Sequence, residues 1–148
     1  MADDPVHEIA ENCIAVRVRV LNRLVTGVCD AGLRGYGVTV AQVNILVAAG
    51  RAGPVAPTAL AAALVMDKST LSRDVTALLA RGWLRKASGP DKRSHTLELT
   101  PAGRDQLAAI MPAWRAAQAE LSERLGSANL DGVFGVLVAA LKRRRDRG

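Results

Sequence analysis

The sequence predicts a mainly α-helical domain that carries one small β-hairpin. Alanine, the strongest helix former, dominates the chain, and apolar residues recur at helical spacing over most of its length. Aromatic residues make up only 3%, too few for an aromatic-rich β-sandwich. The pattern changes to short strands only around residues 83–99. With 148 residues and 49% hydrophobic residues, we expect one domain spanning residues 1–148.

The apolar first helix is predicted over residues 5–31. Its apolar residues recur at gaps of three and four and include Ile9, Cys13, Val16, Val20 and Leu24. A helix this apolar at a chain terminus needs more cover than one small domain offers, so we expect a partner subunit to pack against it.

Three further helices are defined by their end signals. Thr39 and Gln42 form a capping-box pattern that opens a helix to about Ala49. A short alanine-rich helix over Thr58–Leu64 follows. Asp67 is a natural N-cap for a helix over residues 68–81, and Gly82 sits where a helix-ending glycine belongs.

The strand-like stretch predicts a hairpin with a positively charged tip. Residues 83–87 and 95–99 can pair across a turn at residues 88–93. Thr100 and Pro101 then match an N-cap followed by proline at the first helical position, so a helix runs from there to about Leu125, with a bend expected at Pro112. The last helix is predicted over residues 129–145.

The charge distribution favours a polyanionic partner. The net charge is +6, and residues 81–95 and 142–147 each contain five basic residues and one acidic residue. The acidic N-terminus does not match a secretory signal, and no uncharged apolar run reaches about 18 residues. We therefore expect a cytoplasmic protein without a membrane partner.

Catalytic and metal chemistry find no support in the sequence. There is no glycine-rich phosphate loop, no carboxylate pair with a histidine, and no nucleophile beside a base in a known motif. The two histidines lie far apart, and Cys13 and Cys29 fit neither a disulfide framework nor zinc spacing. We expect no enzyme activity, no cofactor and no metal.

The order of helix, short helix, helix and charged hairpin over residues 39–100 predicts a winged helix-turn-helix. An α-helix is about 10–12 Å across with its side chains and fits the DNA major groove. The hairpin, or wing, reaches sideways to the DNA backbone or the minor groove. Ser and Thr near the helix start can donate to phosphates or base edges, and Arg73 can bind guanine with two hydrogen bonds. The predicted DNA contacts are Ser69, Thr70, Ser72, Arg73, Lys92, Arg93 and Thr58.

Four segments of the chain resemble the MarR family of bacterial transcriptional regulators. They are residues 66–73 (MDKSTLSR), 78–84 (LLARGWL), 91–93 (DKR) and 97–103 (LELTPAG). The resemblance implies a homodimer whose dimerisation helices are residues 1–35 and 101–148. It implies binding to pseudo-palindromic double-stranded DNA, usually in repression, with release by a small-molecule effector or by oxidation.

The same resemblance assigns roles in the wing. It implies that Arg93 enters the minor groove and that Asp91 shapes the turn. Independently, an acidic residue among Lys92, Arg93 and Arg85 is better suited to pairing than to phosphate contact, so Asp91 and Arg85 are predicted to shape the wing.

Two alternative functions remain open at this stage. Cys13 in the first helix could act as a redox switch, although a buried structural cysteine is the simpler interpretation. Some winged helices bind proteins instead of DNA, and the apolar termini would then be partner sites. The sequence names neither the operator nor the effector. We expect an effector cavity between the dimerisation helices and the winged region.

Overall fold

The computed structural model describes residues 4–89, 91 and 94–145, and within these ranges the chain forms seven α-helices and two strands. In chain order these are α1 (Pro5–Asn12), α2 (Ile14–Leu33), α3 (Val40–Ala52), α4 (Pro57–Leu64), α5 (Lys68–Ala80), β1 (Leu84–Ser88), β2 (His95–Leu99), α6 (Pro101–Leu125) and α7 (Ser127–Arg145). The predicted fold class, mainly α with a small β-wing, is confirmed. None of the described helices is both long and apolar enough to cross a membrane.

The chain divides into two compact units. Residues 1–29 and 117–148 form the first, which we call the terminal unit. Residues 30–116 form the second, the central unit, which contains α3, α4, α5 and both strands.

The central unit is built around one apolar core. Helices α3, α4 and α5 and both strands contribute fully buried side chains, among them Ile45, Leu60, Leu78 and Leu97. A smaller cluster joins Val43 of α3 to Leu33 and to Ile110 of α6. Because three short helices and a hairpin share this core, the orientation of α5 is determined by side chains from every neighbouring element.

The terminal unit buries far fewer residues. Cys29, Ala117 and Leu121 are buried within it, whereas α1 has no buried residue. Many of its large apolar side chains are exposed: Val6, Ile9, Ile14, Val16, Val18, Val20, Leu24, Val133, Phe134, Val136, Leu137 and Val138. The sequence therefore supplies an apolar surface here that the described residues of the chain leave uncovered.

The predicted first helix is interrupted at Cys13. This residue has extended backbone angles, φ −68° and ψ 105°, so α1 ends before it and α2 begins after it. Two side chains donate to backbone carbonyls near the break. The Arg17 guanidinium donates to the Glu11 carbonyl, and Asn12 Nδ2 donates to the Glu8 carbonyl at 2.9 Å. Asn and Cys are both weak helix formers, which makes this a low-cost place to break.

The predicted helix ends in the central unit are confirmed, except that α3 ends later than predicted. The Thr39–Gln42 capping box is present at the start of α3, and Gly82 has φ 70° just past the end of α5. Helix α3 continues through Gly50 to Ala52 and ends at Gly53, whose φ of 72° favours glycine. Gly50 lies inside the helix, where the Leu99 side chain of β2 packs too closely to leave room for a larger residue. Because Leu99 is distant along the chain, the local sequence does not show this reason for the glycine.

The two strands pair antiparallel with Leu84 opposite Leu99 and Ser88 opposite His95. Val55 adds an isolated bridge to Leu97, with distances of 3.1 and 2.8 Å between their backbone nitrogen and oxygen atoms. This third partner was not predicted, since a single residue has no strand pattern. It ties the loop before α4 directly to the wing.

Candidate nucleic-acid interface

Helix α5 separates a buried side from a polar side. Leu71, Val75 and Leu78 enter the core of the central unit. On the opposite side the exposed residues Ser69, Ser72, Arg73 and Thr76 follow each other at helical spacing. The predicted contacts Ser69, Ser72 and Arg73 therefore share one solvent-facing surface. Thr70 is half-buried as a residue, but its hydroxyl makes an exposed hydrogen bond in the first turn.

Asp67 organises the first turn of α5. Its Oδ1 accepts a hydrogen bond from the Thr70 backbone N–H at 2.8 Å, which confirms the predicted N-cap. The Thr70 hydroxyl donates to Oδ2 at 2.6 Å, and the Ser69 hydroxyl donates to Oδ1 at 2.7 Å. These bonds, with that of the Thr70 hydroxyl the strongest, hold the pKa of Asp67 well below its usual range, so the carboxylate stays ionised.

Thr76 is a surface residue that the sequence analysis missed. It lies four residues after Ser72 and three after Arg73, on the same exposed side of α5. Its hydroxyl donates to the Ser72 carbonyl at 2.8 Å. The sequence pattern could have identified Thr76, because it lies one helical turn beyond the predicted contacts Ser72 and Arg73.

The wing is braced by a cross-strand ion pair. Arg85 on β1 lies opposite Glu98 on β2, with 2.7 Å between Nε and Oε2. Arg85 therefore pairs across the strands. The predicted pairing role of the Asp91 carboxylate remains a prediction, because Lys92 and Arg93 are not among the described residues. Asp91 holds the turn through its backbone, since its carbonyl accepts from the Ser94 N–H at 3.1 Å. Lys92 and Arg93 lie outside the described residues, as do the basic side chains of residues 142–147.

Thr58 lies at the start of α4 and is exposed. It lines a cavity of about 300 Å³ together with Lys68 and Ser72 of α5, Lys86 of β1 and His95 of β2. The fold therefore brings Thr58 to the same region as the α5 surface and the base of the wing.

The position of α6 against the wing depends on close packing at Gly103. A side-chain carbon at this position would lie 2.3 Å from the Trp83 carbonyl oxygen, so only glycine fits. Thr100 completes the junction, because its hydroxyl donates to the Gly82 carbonyl at 2.6 Å and accepts from the Gly103 N–H at 3.0 Å. This joins the end of α5, the wing and the start of α6.

Both cysteines belong to the terminal unit, whereas α5 belongs to the central unit. Cys13 is half-buried at the break between α1 and α2. Cys29 is buried, and Gln118 Nε2 donates to its sulfur at 4.0 Å. In the part of the chain that the structure describes, no group of three or more His, Cys, Asp or Glu side chains is arranged to hold a metal ion.

Comparisons with known proteins agree on one family. The model of the MarR family matches residues 36–94, which cover the winged region from before α3 to the wing. Among curated proteins no significant match is found.

Solved structures match over nearly the whole chain. A MarR family transcription regulator named SP03579 is 30% identical, with a TM-score of 0.69 and coverage of 95% of each chain. A probable transcriptional regulator from Pseudomonas aeruginosa is 27% identical, with a TM-score of 0.77 over 88% of this chain and 98% of the other.

A third similar structure is a MarR variant from E. coli in complex with operator DNA. It is 22% identical, with a TM-score of 0.80 over 94% of this chain and 99% of the other. At this identity the likeness supports the fold. With the family model over the winged region and a 30% identical regulator matched over 95% of each chain, the chain belongs to the MarR family of transcriptional regulators.

Proposed function

We propose that this regulator is a homodimer that binds double-stranded DNA in a sequence-specific manner and represses transcription from pseudo-palindromic operators. The observation that carries the proposal is the exposed polar surface of α5, formed by Ser69, Ser72, Arg73 and Thr76 on a helix whose other side is locked in the core. A rigid helix with small polar side chains and one arginine suits the major groove.

The electrostatics of the chain support a DNA partner. The net charge of +6 favours attraction to phosphates, and Lys68 and Lys86 are exposed near the α5 surface. The predicted wing contacts Lys92 and Arg93 would extend this positive region. A MarR variant of the same fold has been solved with operator DNA, which makes this docking mode available to the fold. The protein would act in the cytoplasm.

The apolar surface of the terminal unit supports the homodimer. Ile14 on α2 is 75% exposed and Val136 on α7 is 72% exposed. A surface of this kind on a protein that functions in water is typical of an interface, and an operator with two-fold symmetry requires a two-fold protein. We assign the segments 1–35 and 101–148 to dimerisation and residues 39–100 to DNA binding.

An effector site is proposed within the central unit. A cavity of about 400 Å³ lies between α3 and α6, lined by apolar residues such as Val47, Leu107 and Trp114, with Asn44 as a polar member. Its size and composition suit a small, largely apolar molecule that carries one polar group. Binding there would act on α3, which shares its core with α5.

The test is a titration of duplex DNA with the wild type and Arg73→Ala at several salt concentrations. The matched control, Arg124→Ala, removes the same charge from α6 within the terminal unit. Loss of a two-hydrogen-bond contact with a base should cost about 1–3 kcal/mol per subunit on the selected operator and reduce sequence preference.

Arg124→Ala should retain the preference. If the wild type binds no duplex in a salt-dependent way, the proposed function is wrong and the protein-interaction alternative gains support. If Arg73→Ala lowers affinity equally for selected and scrambled duplexes, Arg73 contacts phosphate rather than a base.

A further inference from the structure

The hydroxyl groups at the start of α5 are already engaged. Asp67 accepts both of them, with oxygen–oxygen distances of 2.7 Å from Ser69 and 2.6 Å from Thr70. It also accepts the Thr70 N–H at 2.8 Å. Three donors therefore converge on one exposed carboxylate at the surface that we propose faces DNA.

The number of protons on each hydroxyl limits the hydrogen bonds that Ser69 and Thr70 can make to DNA. A serine or threonine hydroxyl has one proton and two lone pairs, and an ionised carboxylate can only accept. Each hydroxyl proton is therefore directed at Asp67, and the oxygens present only lone pairs to any other partner. These bonds are made to the ionised carboxylate, and they favour that form by lowering the pKa of Asp67.

We infer that Ser69 and Thr70 act on DNA as hydrogen-bond acceptors only, so that the first turn of α5 selects bases with an amino group, cytosine or adenine, over guanine and thymine. This inference rests on the proposed function of α5, and Asp67 is the positioning residue. Cytosine N4 and adenine N6 are the donors that the major groove offers, whereas guanine and thymine present acceptor oxygens in the corresponding place.

The inference also excludes the contact that small hydroxyl residues commonly make. Phosphate oxygens are acceptors, so hydroxyls whose protons point at Asp67 do not bind them. The carboxylate itself repels phosphate and can accept from cytosine N4. The first turn should therefore lie over base edges instead of the DNA backbone.

One turn further along the helix, the polarity is reversed. Arg73 carries only donors and suits guanine O6 and N7. The hydroxyl groups of Ser69 and Thr70 thus present acceptors, whereas Arg73 in the second turn presents donors. A half-site should then show an amino base and a guanine at two separate positions.

The experiment measures base preference with a library of duplexes randomised at each position of the half-site. The wild-type chain should prefer cytosine or adenine by about tenfold at one or two positions. Ser69→Ala and Thr70→Val remove one acceptor each and should abolish the preference at its position, while affinity for scrambled DNA and its salt dependence stay unchanged.

Asp67→Asn tests the role of the carboxylate directly. Asn is as good an N-cap as Asp, so α5 should keep its start, which circular dichroism and thermal unfolding check. The amide nitrogen donates where the carboxylate accepted, so one hydroxyl proton turns outward and the amino-base preference should fall by about tenfold or reverse.

Asp105→Asn is the charge control, because Asp105 is an exposed acidic residue of α6. It should raise affinity for all duplexes slightly and leave base preference intact. Three results would overturn the inference. They are a guanine or thymine preference at the positions that respond to Ser69→Ala or Thr70→Val, equal loss on all sequences in those variants, or an unchanged amino-base preference in Asp67→Asn. If the wild type shows no sequence preference, the proposed function itself fails, which is a distinct outcome.

Discussion

The central and terminal units both consist largely of helices with apolar residues, but the central unit buries these residues and the terminal unit leaves many of them exposed. In the central unit, Ile45, Leu46, Leu78 and Leu97 are 0% exposed. In the terminal unit, α1 buries nothing and α7 leaves Val136 and Leu137 largely in contact with water. The central unit can therefore hold α5, the helix that we propose faces DNA, by its own contacts. We propose that a partner subunit covers the apolar surface of the terminal unit.

The largest expected effect contrasts the same substitution in the two units. Leu78→Ala should lower the free energy of unfolding by about 3 kcal/mol, because it leaves a cavity in a fully buried site. Leu137→Ala on α7 removes the same atoms from a half-exposed site. It should instead weaken self-association, with about 1 kcal/mol lost per subunit from the dimer.

Denaturant unfolding and sedimentation, both at several protein concentrations, separate the two effects. The contrast between a self-contained central unit and a terminal unit that needs a partner would be wrong if Leu137→Ala lowered the free energy of unfolding as much as Leu78→Ala without changing the oligomeric state. The same contrast would be wrong if the wild type sedimented as a well-folded monomer at all concentrations.

A glycine pair gives an intermediate effect of opposite sign in the two units. Gly103→Ala should destabilise the protein by about 2 kcal/mol, because the new carbon meets the Trp83 carbonyl and forces α6 away from the wing. Gly27 lies inside α2 with no atom within 4 Å of an added carbon. Gly27→Ala should stabilise by about 0.5–1 kcal/mol through helix propensity.

Thermal unfolding of both variants measures this contrast, with DNA affinity as a second measurement. Because Gly103 positions α6 against the wing, Gly103→Ala should also reduce duplex binding. Equal destabilisation by the two alanines would mean that Gly27 is in contact with a partner, and would remove it as a control.

The smallest effect concerns the turn between α4 and α5. Val65 has φ 53°, a left-handed conformation that costs a branched residue about 1–2 kcal/mol, and its side chain is 84% exposed. Val65→Asn should relieve most of this strain and stabilise the central unit by about 1 kcal/mol. Val47→Asn, inside α3 at a partly exposed site, should not stabilise.

Chemical denaturation resolves a difference of this size. A destabilised Val65→Asn variant would show that the exposed valine makes a favourable contact, and the strain argument would then be wrong. A change in dimer dissociation by either variant would contradict the assignment of both sites to the central unit alone.

Much of the site was predictable because its signals are local. The N-cap at Asp67, the capping box at Thr39 and Gln42, and the glycine after α5 depend on residues three or four apart, and all three are confirmed. The solvent-facing side of α5 follows from helical spacing in the same way. The break at Cys13 was hidden because the apolar period continues on both sides of it.

Contacts between distant residues could not be predicted. Arg85 pairs with Glu98, thirteen residues away, and this pairing depends on the register of the two strands. Val55 pairs with Leu97 although it lies in a loop. Neither has a local pattern, since each depends on where the folded elements meet.

The sequence by itself determined the order of helices, the wing, the family resemblance and the polar surface of α5, because caps, periods and turns are properties of neighbouring residues. Only the tertiary structure decided which apolar surfaces are covered and why Gly103 must be glycine. It also decided that Arg85 pairs with Glu98 across the wing. These features depend on distances and hydrogen-bond directions in space, which residue order alone does not specify.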